Sequence, residues 1–66
     1  MEPLYPDIEV ELVGQDGNAF NLMGIVCKAL RRNKVAESEV KKFQNECMSG
    51  DYDHLLQTCM KWVSVS

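Results

Sequence analysis

Sixty-six residues with a net charge of −3 leave room for a single domain. A chain this short buries only about 60% of the surface its unfolded form exposes, so it needs a staple, a metal or a partner chain to be robust. Its acidity argues against duplex nucleic acid, which takes many phosphate contacts, and no run approaches the ~20 apolar residues of a membrane span.

The cysteines test the staple. Cys27, Cys47 and Cys59 are odd in number, form no CxxC pair and share the chain with one histidine, which speaks against a disulfide framework and against a tetrahedral zinc site. All three fall at apolar positions of predicted helices and read as small buried hydrophobes in a reducing cytosol. No metal and no cofactor is expected, and oligomerisation is the support that remains. The N-terminus is acidic and has no apolar h-region, so no secretory leader is read and a cytoplasmic location is expected.

Residues 1–6, with Pro3 and Pro6, read as an extended arm, and residues 7–66 as the domain. Residues 7–13 alternate, with Ile8, Val10 and Leu12 on one face and Glu9 and Glu11 on the other, the pattern of a half-buried strand. Gly14-Gln15-Asp16-Gly17 is a turn, Asp-Gly being suited to positive φ. Asn18 then caps a helix over residues 18–32. Phe20, Met23, Cys27 and Leu30 form its stripe, and Leu22, Ile25, Val26 and Ala29 fill most of the remaining circumference. So apolar a helix asks to be covered on more than one side, and in so short a chain a second subunit is the natural cover; clasping by its own neighbours is the alternative. Gly24 offers close backbone approach within such a contact.

Asn33-Lys34 breaks the pattern. A second helix follows over residues 37–48, with Ser38 or a neighbour as its cap, Val40, Phe43 and Cys47 inward, and Gly50 at a left-handed C-terminal position. Asp51 caps a third helix, Asp53 suits its first turn, and Leu55, Leu56, Cys59 and Met60 supply its apolar face. Residues 62–65 alternate and read as a short strand pairing with the first. The expected fold is α+β: an N-terminal strand, three helices and a short C-terminal strand, in a small oligomer.

Nucleophilic catalysis finds little support, since His54 is the only histidine and no orienting third group is evident. The carboxylates scatter over a strand face, a turn and helix starts, and neither a P-loop nor a full GxGxxG fingerprint is present. The chain is read as a non-enzyme. A binding site assembles more readily. The start of the first helix, at Gly17, Asn18 and Ala19, offers N–H donors and the positive end of the helix dipole to an anion. Arg31 and Arg32 supply forks suited to phosphate, but roughly 20 Å away at the other end of the helix. Antiparallel helices from two subunits would bring the two ends together. Tyr5, Phe20, Tyr52 and Trp62 are candidates for stacking on a base, with core packing as the alternative for each.

Three segments, residues 8–14 running into Asp16-Gly17-Asn18-Ala19-Phe20, then Lys28-Ala29-Leu30-Arg31-Arg32, then Ser49-Gly50-Asp51-Tyr52-Asp53-His54-Leu55-Leu56-Gln57, together resemble a widespread group of very small phage and prophage proteins. The resemblance covers residues 7–65. The pattern is similar to the phage anti-CBASS sponges, oligomers that sequester cyclic nucleotide immune signals between subunits without cleaving them. That resemblance implies a homo-oligomer in the host cytoplasm holding a cyclic di- or trinucleotide. Gly17, Asn18 and Ala19 would meet phosphate, Arg31 and Arg32 would neutralise it, and Phe20 and Tyr52 would pack on bases. The alternative is an inhibitor that binds a host defence protein, of the anti-restriction or anti-CRISPR kind, through the acidic face of Asp7, Glu9, Glu11 and Asp16.

Overall fold

A computed structural model describes residues 2–66; Met1, the first residue of the expected arm, lies outside them. The chain runs β1 (Tyr5–Val10), α1 (Ala19–Arg32), α2 (Glu37–Cys47), α3 (Tyr52–Trp62) and β2 (Val63–Val65), the α+β order expected from the sequence. The strands form a two-stranded parallel sheet, with Tyr5 opposite Val63, Glu9 opposite Ser64 and Val10 opposite Val65. Pairing continues beyond the strands: Leu4 N–H donates to the Lys61 carbonyl at 2.9 Å, Ser66 N–H to Val10 at 3.0 Å and Leu12 N–H to Ser66 at 2.9 Å.

The strand boundaries differ from expectation for packing reasons. Tyr5 and Pro6, assigned to the arm, belong to β1. Tyr5 stacks on Trp62 with ring centroids 5.9 Å apart, and the Pro6 carbonyl accepts the Ser64 hydroxyl at 2.9 Å. Residues 11–13 leave the strand as the chain turns through Gly14, whose φ of +85° makes it, and not Gly17, the left-handed glycine of the turn. Trp62 ends α3 instead of opening β2. The buried face of α3 is Leu55, Thr58, Cys59 and Trp62, so helical spacing carries the indole inward. Leu56 is only half-buried and Met60 is exposed, unlike the expected face.

Asn18 caps α1 as expected, its side-chain oxygen accepting from Phe20 N–H and Asn21 N–H. The inward residues are Leu22, Met23, Val26, Cys27 and Leu30. Phe20, expected on that stripe, is 72% exposed, because it stands over the open hollow between the starts of α1 and α3. Ile25 and Ala29 are half-buried against the core. The apolar circumference of α1 is thus largely covered by α2, α3 and β1 of the same chain. The helix ends in a Schellman motif: Val35 N–H donates to Leu30 and Lys34 N–H to Arg31, each at 3.0 Å. Lys34 takes the left-handed position usually given to glycine, at φ 64°.

The cap of α2 is Ala36, with no side-chain bond, so Ser38 is not a cap; Glu37 and Glu39 in the first turn complement the dipole instead. Gly50 is not left-handed. It is glycine for room: a Cβ there would lie 2.7 Å from the ring Cγ of His54. Asp51 caps α3 as expected, accepting from His54 N–H at 2.9 Å.

Trp62 is the centre of the core. Phe43 packs edge-on to it at 5.5 Å, and its Nε1–H donates to Glu46 Oε2 at 2.6 Å. Glu46 also accepts from Lys61 Nζ at 2.8 Å. Those hydrogen bonds, from Lys61 first and then from Trp62, hold the Glu46 carboxyl below the ordinary carboxylate range. The three thiols are free and buried. Hydrogen bonding with Cys59, then burial, pushes the Cys47 thiol well above its ordinary value, and the same bond lowers that of Cys59, so Cys47 is the member of the pair that keeps its proton.

Candidate binding cleft

The starts of α1 and α3 meet at the end of α2. Tyr52, the first residue of α3, donates its hydroxyl to the Gly17 carbonyl at 2.5 Å, tying the turn before α1 to the third helix. A Cβ on Gly17 would stand 3.4 Å from the Tyr52 oxygen, an ordinary contact, so Gly17 serves the tie through its carbonyl. Beside the tie lies a cleft of about 270 Å³ lined by Phe20 and Met23 of α1, Met48 after α2, the α3 cap Asp51, and Tyr52 and Leu55 of α3. Its rim leaves large apolar groups in water: Phe20 is 72% exposed, Met48 60% and Tyr52 44%. These three side chains stand around one hollow.

Five of the seven residues expected at the site gather here: Gly17, Asn18, Ala19, Phe20 and Tyr52. The two arginines do not. Arg31 lies at the far end of α1, where its Nε donates to Glu37 Oε1 at 2.7 Å and its Nη2 to Oε2 at 3.4 Å. That hydrogen bond holds the Glu37 carboxyl below its ordinary value and raises Arg31 above its own. Arg32 lines a different hollow with Lys28, Ile25 and Ala29 of α1 and with Glu9 and Val10 of β1. Of the other aromatics, Tyr5 and Trp62 pack in and against the core, as the alternative reading has it.

The donors expected at the start of α1 are largely taken by the chain itself. Asn18 Oδ1 accepts the Phe20 and Asn21 amides at 2.9 and 3.4 Å. Asn18 N–H donates to the Asp16 carboxylate at 3.2 Å. Asp51 is the one charged residue in the cleft lining, and its carboxylate disfavours phosphate there.

Met23, Met48, Gly50 and Leu55 were not read as site residues. The signal for Met48 is an apolar residue placed immediately before Ser49-Gly50, at a helix end where a polar residue is usual. His54 faces away from the cleft's chemistry. Its Nε2 lies 2.8 Å from the Glu46 carbonyl and 3.0 Å from Ser49 Oγ, and Ser49 Oγ itself donates to the Glu46 carbonyl at 2.7 Å. A carbonyl can only accept, so Nε2 carries the proton and cannot serve as base for Ser49. The two side chains close the end of α2. Among the described residues no group of three or more His, Cys, Asp or Glu is placed to hold a metal ion, and no helix is long and apolar enough to cross a membrane. Compared with family models, curated proteins and solved structures, the chain matches none.

Proposed function

We propose that this chain is a non-enzymatic protein that acts in a phage host's cytoplasm by occupying a host defence protein, and that the cleft between α1 and α3 seats an apolar anchor of that partner. The observation that carries the reading is the ring of Phe20, Met48 and Tyr52 around a cleft of about 270 Å³. That volume falls just short of the ~300 Å³ at which small-molecule pockets begin. It suits one large side chain, the usual form of an interface anchor. Methionine is a common choice where a surface must adapt to a protein partner. Asp51 in the lining favours a cation beside that anchor.

The cyclic-nucleotide reading keeps one specific support, the two rings of Phe20 and Tyr52 at one opening. It needs a homo-oligomer, because Arg31 and Arg32 stand roughly 20 Å along α1 from those rings and only a second subunit would deliver them. The readings separate on two variants used as bait in bacterial lysate. Phe20→Ala removes a mostly exposed ring, and Arg31→Ala an exposed ion pair, so both proteins fold. The protein-partner reading expects a stoichiometric protein on wild type and on Arg31→Ala, and none on Phe20→Ala. A nucleotide released by heating wild type, and lost from Arg31→Ala, would overturn it in favour of the sponge.

A further inference from the structure

The hollow beside β1 shares no lining residue with the cleft. The sheet has two strands, so β1 pairs on one side only. The Val10 carbonyl and Leu12 N–H both bond Ser66, which turns the main chain of these even-numbered residues toward β2. Along a strand the N–H and C=O pairs alternate in direction, so those of Glu9 and Glu11 turn the other way. Outside the β1–β2 ladder, no backbone hydrogen bond is formed by Asp7, Glu9 or Glu11 among the described residues. Such a row of open donors and acceptors is a template for another strand.

The surroundings of that edge specify what fits. Beside it lies a hollow of about 220 Å³, lined by Glu9 and Val10 of β1 and by Ile25, Lys28, Ala29 and Arg32 of α1. Glu9 and Val10 belong to opposite faces of the strand, and no β2 residue lines the hollow, so it sits at the free edge. The inner row of the sheet, Ile8 and Val10, is buried. A strand added to the edge would continue that row over Ile25 and Ala29, placing apolar side chains in the hollow. Its alternate side chains would stand beside Asp7, Glu9 and Glu11, all exposed on the outer face. A second copy of β1 is a poor occupant, because self-pairing would set carboxylates against carboxylates.

We propose that the free edge of β1 takes an extended segment of another protein in which lysine or arginine alternates with apolar residues, by strand addition. The backbone gives the affinity, the carboxylate row selects the basic side chains, and the hollow over Ile25 and Ala29 takes the apolar ones. Lys28 and Arg32, which join no ion pair among the described residues, repel a basic side chain from the hollow and so fix which face of the segment turns inward.

The probe is a blocked octapeptide alternating Lys and Val, with a Glu–Val octapeptide as control, followed by amide hydrogen exchange and fluorescence anisotropy. The Lys–Val peptide is expected to bind, to slow exchange at Glu9 and Glu11, and to lose affinity at high salt. Glu9→Pro removes an outward-facing N–H that β2 does not use, so the protein folds while peptide affinity falls at least tenfold. Glu9→Gln with Glu11→Gln keeps the backbone and lowers affinity for the Lys peptide several-fold. Phe20→Ala leaves this binding unchanged. No binding, binding untouched by Glu9→Pro in a protein whose melting shows it folded, equal binding of the Glu–Val peptide, or protection that maps to Phe20 and Tyr52 would each overturn the proposal.

Discussion

Removing the Glu46 carboxylate tests what holds α2 to α3. In Glu46→Ala two partners lose their acceptor, and they differ in what water can do for them. Lys61 is 62% exposed in its side chain, so water replaces the lost bond and the pair contributes about 0–1 kcal/mol. Trp62 is 1% exposed, and its N–H would be left unpaired in the core, at about 1–3 kcal/mol. The sum, about 1–4 kcal/mol, lowers the melting temperature of so small a domain by roughly 5–30 °C. Glu46→Gln keeps a carbonyl for the indole and loses only the charge, so it costs about 1 kcal/mol. Lys61→Ala costs less than either. The pH profile follows from the same contacts. The folded carboxyl titrates below its ordinary value of 4.5, so the unfolded chain binds more protons in that window. The contribution of Glu46 is therefore complete above about pH 4.5 and fades as pH falls through the lower folded value, and Glu46→Gln flattens this part of the curve. Thermal melts from pH 3 to pH 7 of the three variants, with Glu46→Ala repeated in a Trp62→Phe background, measure all of it. If Lys61→Ala proved as damaging as Glu46→Ala, or if Trp62→Phe left the cost of Glu46→Ala unchanged, the indole bond would not be where the energy lies.

Lys34→Gly relieves a left-handed backbone at the end of α1 and should stabilise by about 0.5–1 kcal/mol in a denaturant titration. Gly24→Ala and Gly50→Ala should move in opposite directions in the same assay. A Cβ on Gly24 meets nothing within 4 Å, so the helix gains about 0.5–1 kcal/mol; a concentration-dependent loss instead would mark Gly24 as a contact between subunits. At Gly50 the new methyl strikes the His54 ring, for about 1–3 kcal/mol of destabilisation. Cys27, Cys47 and Cys59 are buried, so a thiol reagent should modify none of them in the native protein and all three in denaturant; fast modification of Cys59 in buffer would contradict the burial.

The sequence is most legible where a local rule and the tertiary packing agree. Asn18 and Asp51 cap the helices they were read to cap, because a side-chain oxygen next to free amides needs no distant partner. The alternation of Ile8, Val10 and Glu9 gives the right faces of β1. Legibility fails where distant residues decide. Trp62 lies in a β-prone run, yet Tyr5, Phe43 and Glu46 draw it into α3. Phe20 fits the heptad-like stripe of α1, but it stands at the mouth of the cleft beside Met48 and Tyr52 and stays 72% exposed. The tie from Tyr52 to Gly17 spans 35 residues and leaves no trace in either segment. Arg31 looks free for an anion until α2 brings Glu37 beside it.

The parallel sheet bears on how the chain is made. Val10 and Ser66, which bond each other, are 56 residues apart, so no hairpin can form early and the helices must assemble before the strands meet. During synthesis β1 emerges before the three helices, and β2 after them. Through that interval Ile8 and Val10 have no cover, and two nascent copies would offer each other matching strands. Asp7, Glu9 and Glu11, interleaved with the apolar residues, charge that strand with one sign and so keep it apart from its own kind until residues 63–66 arrive.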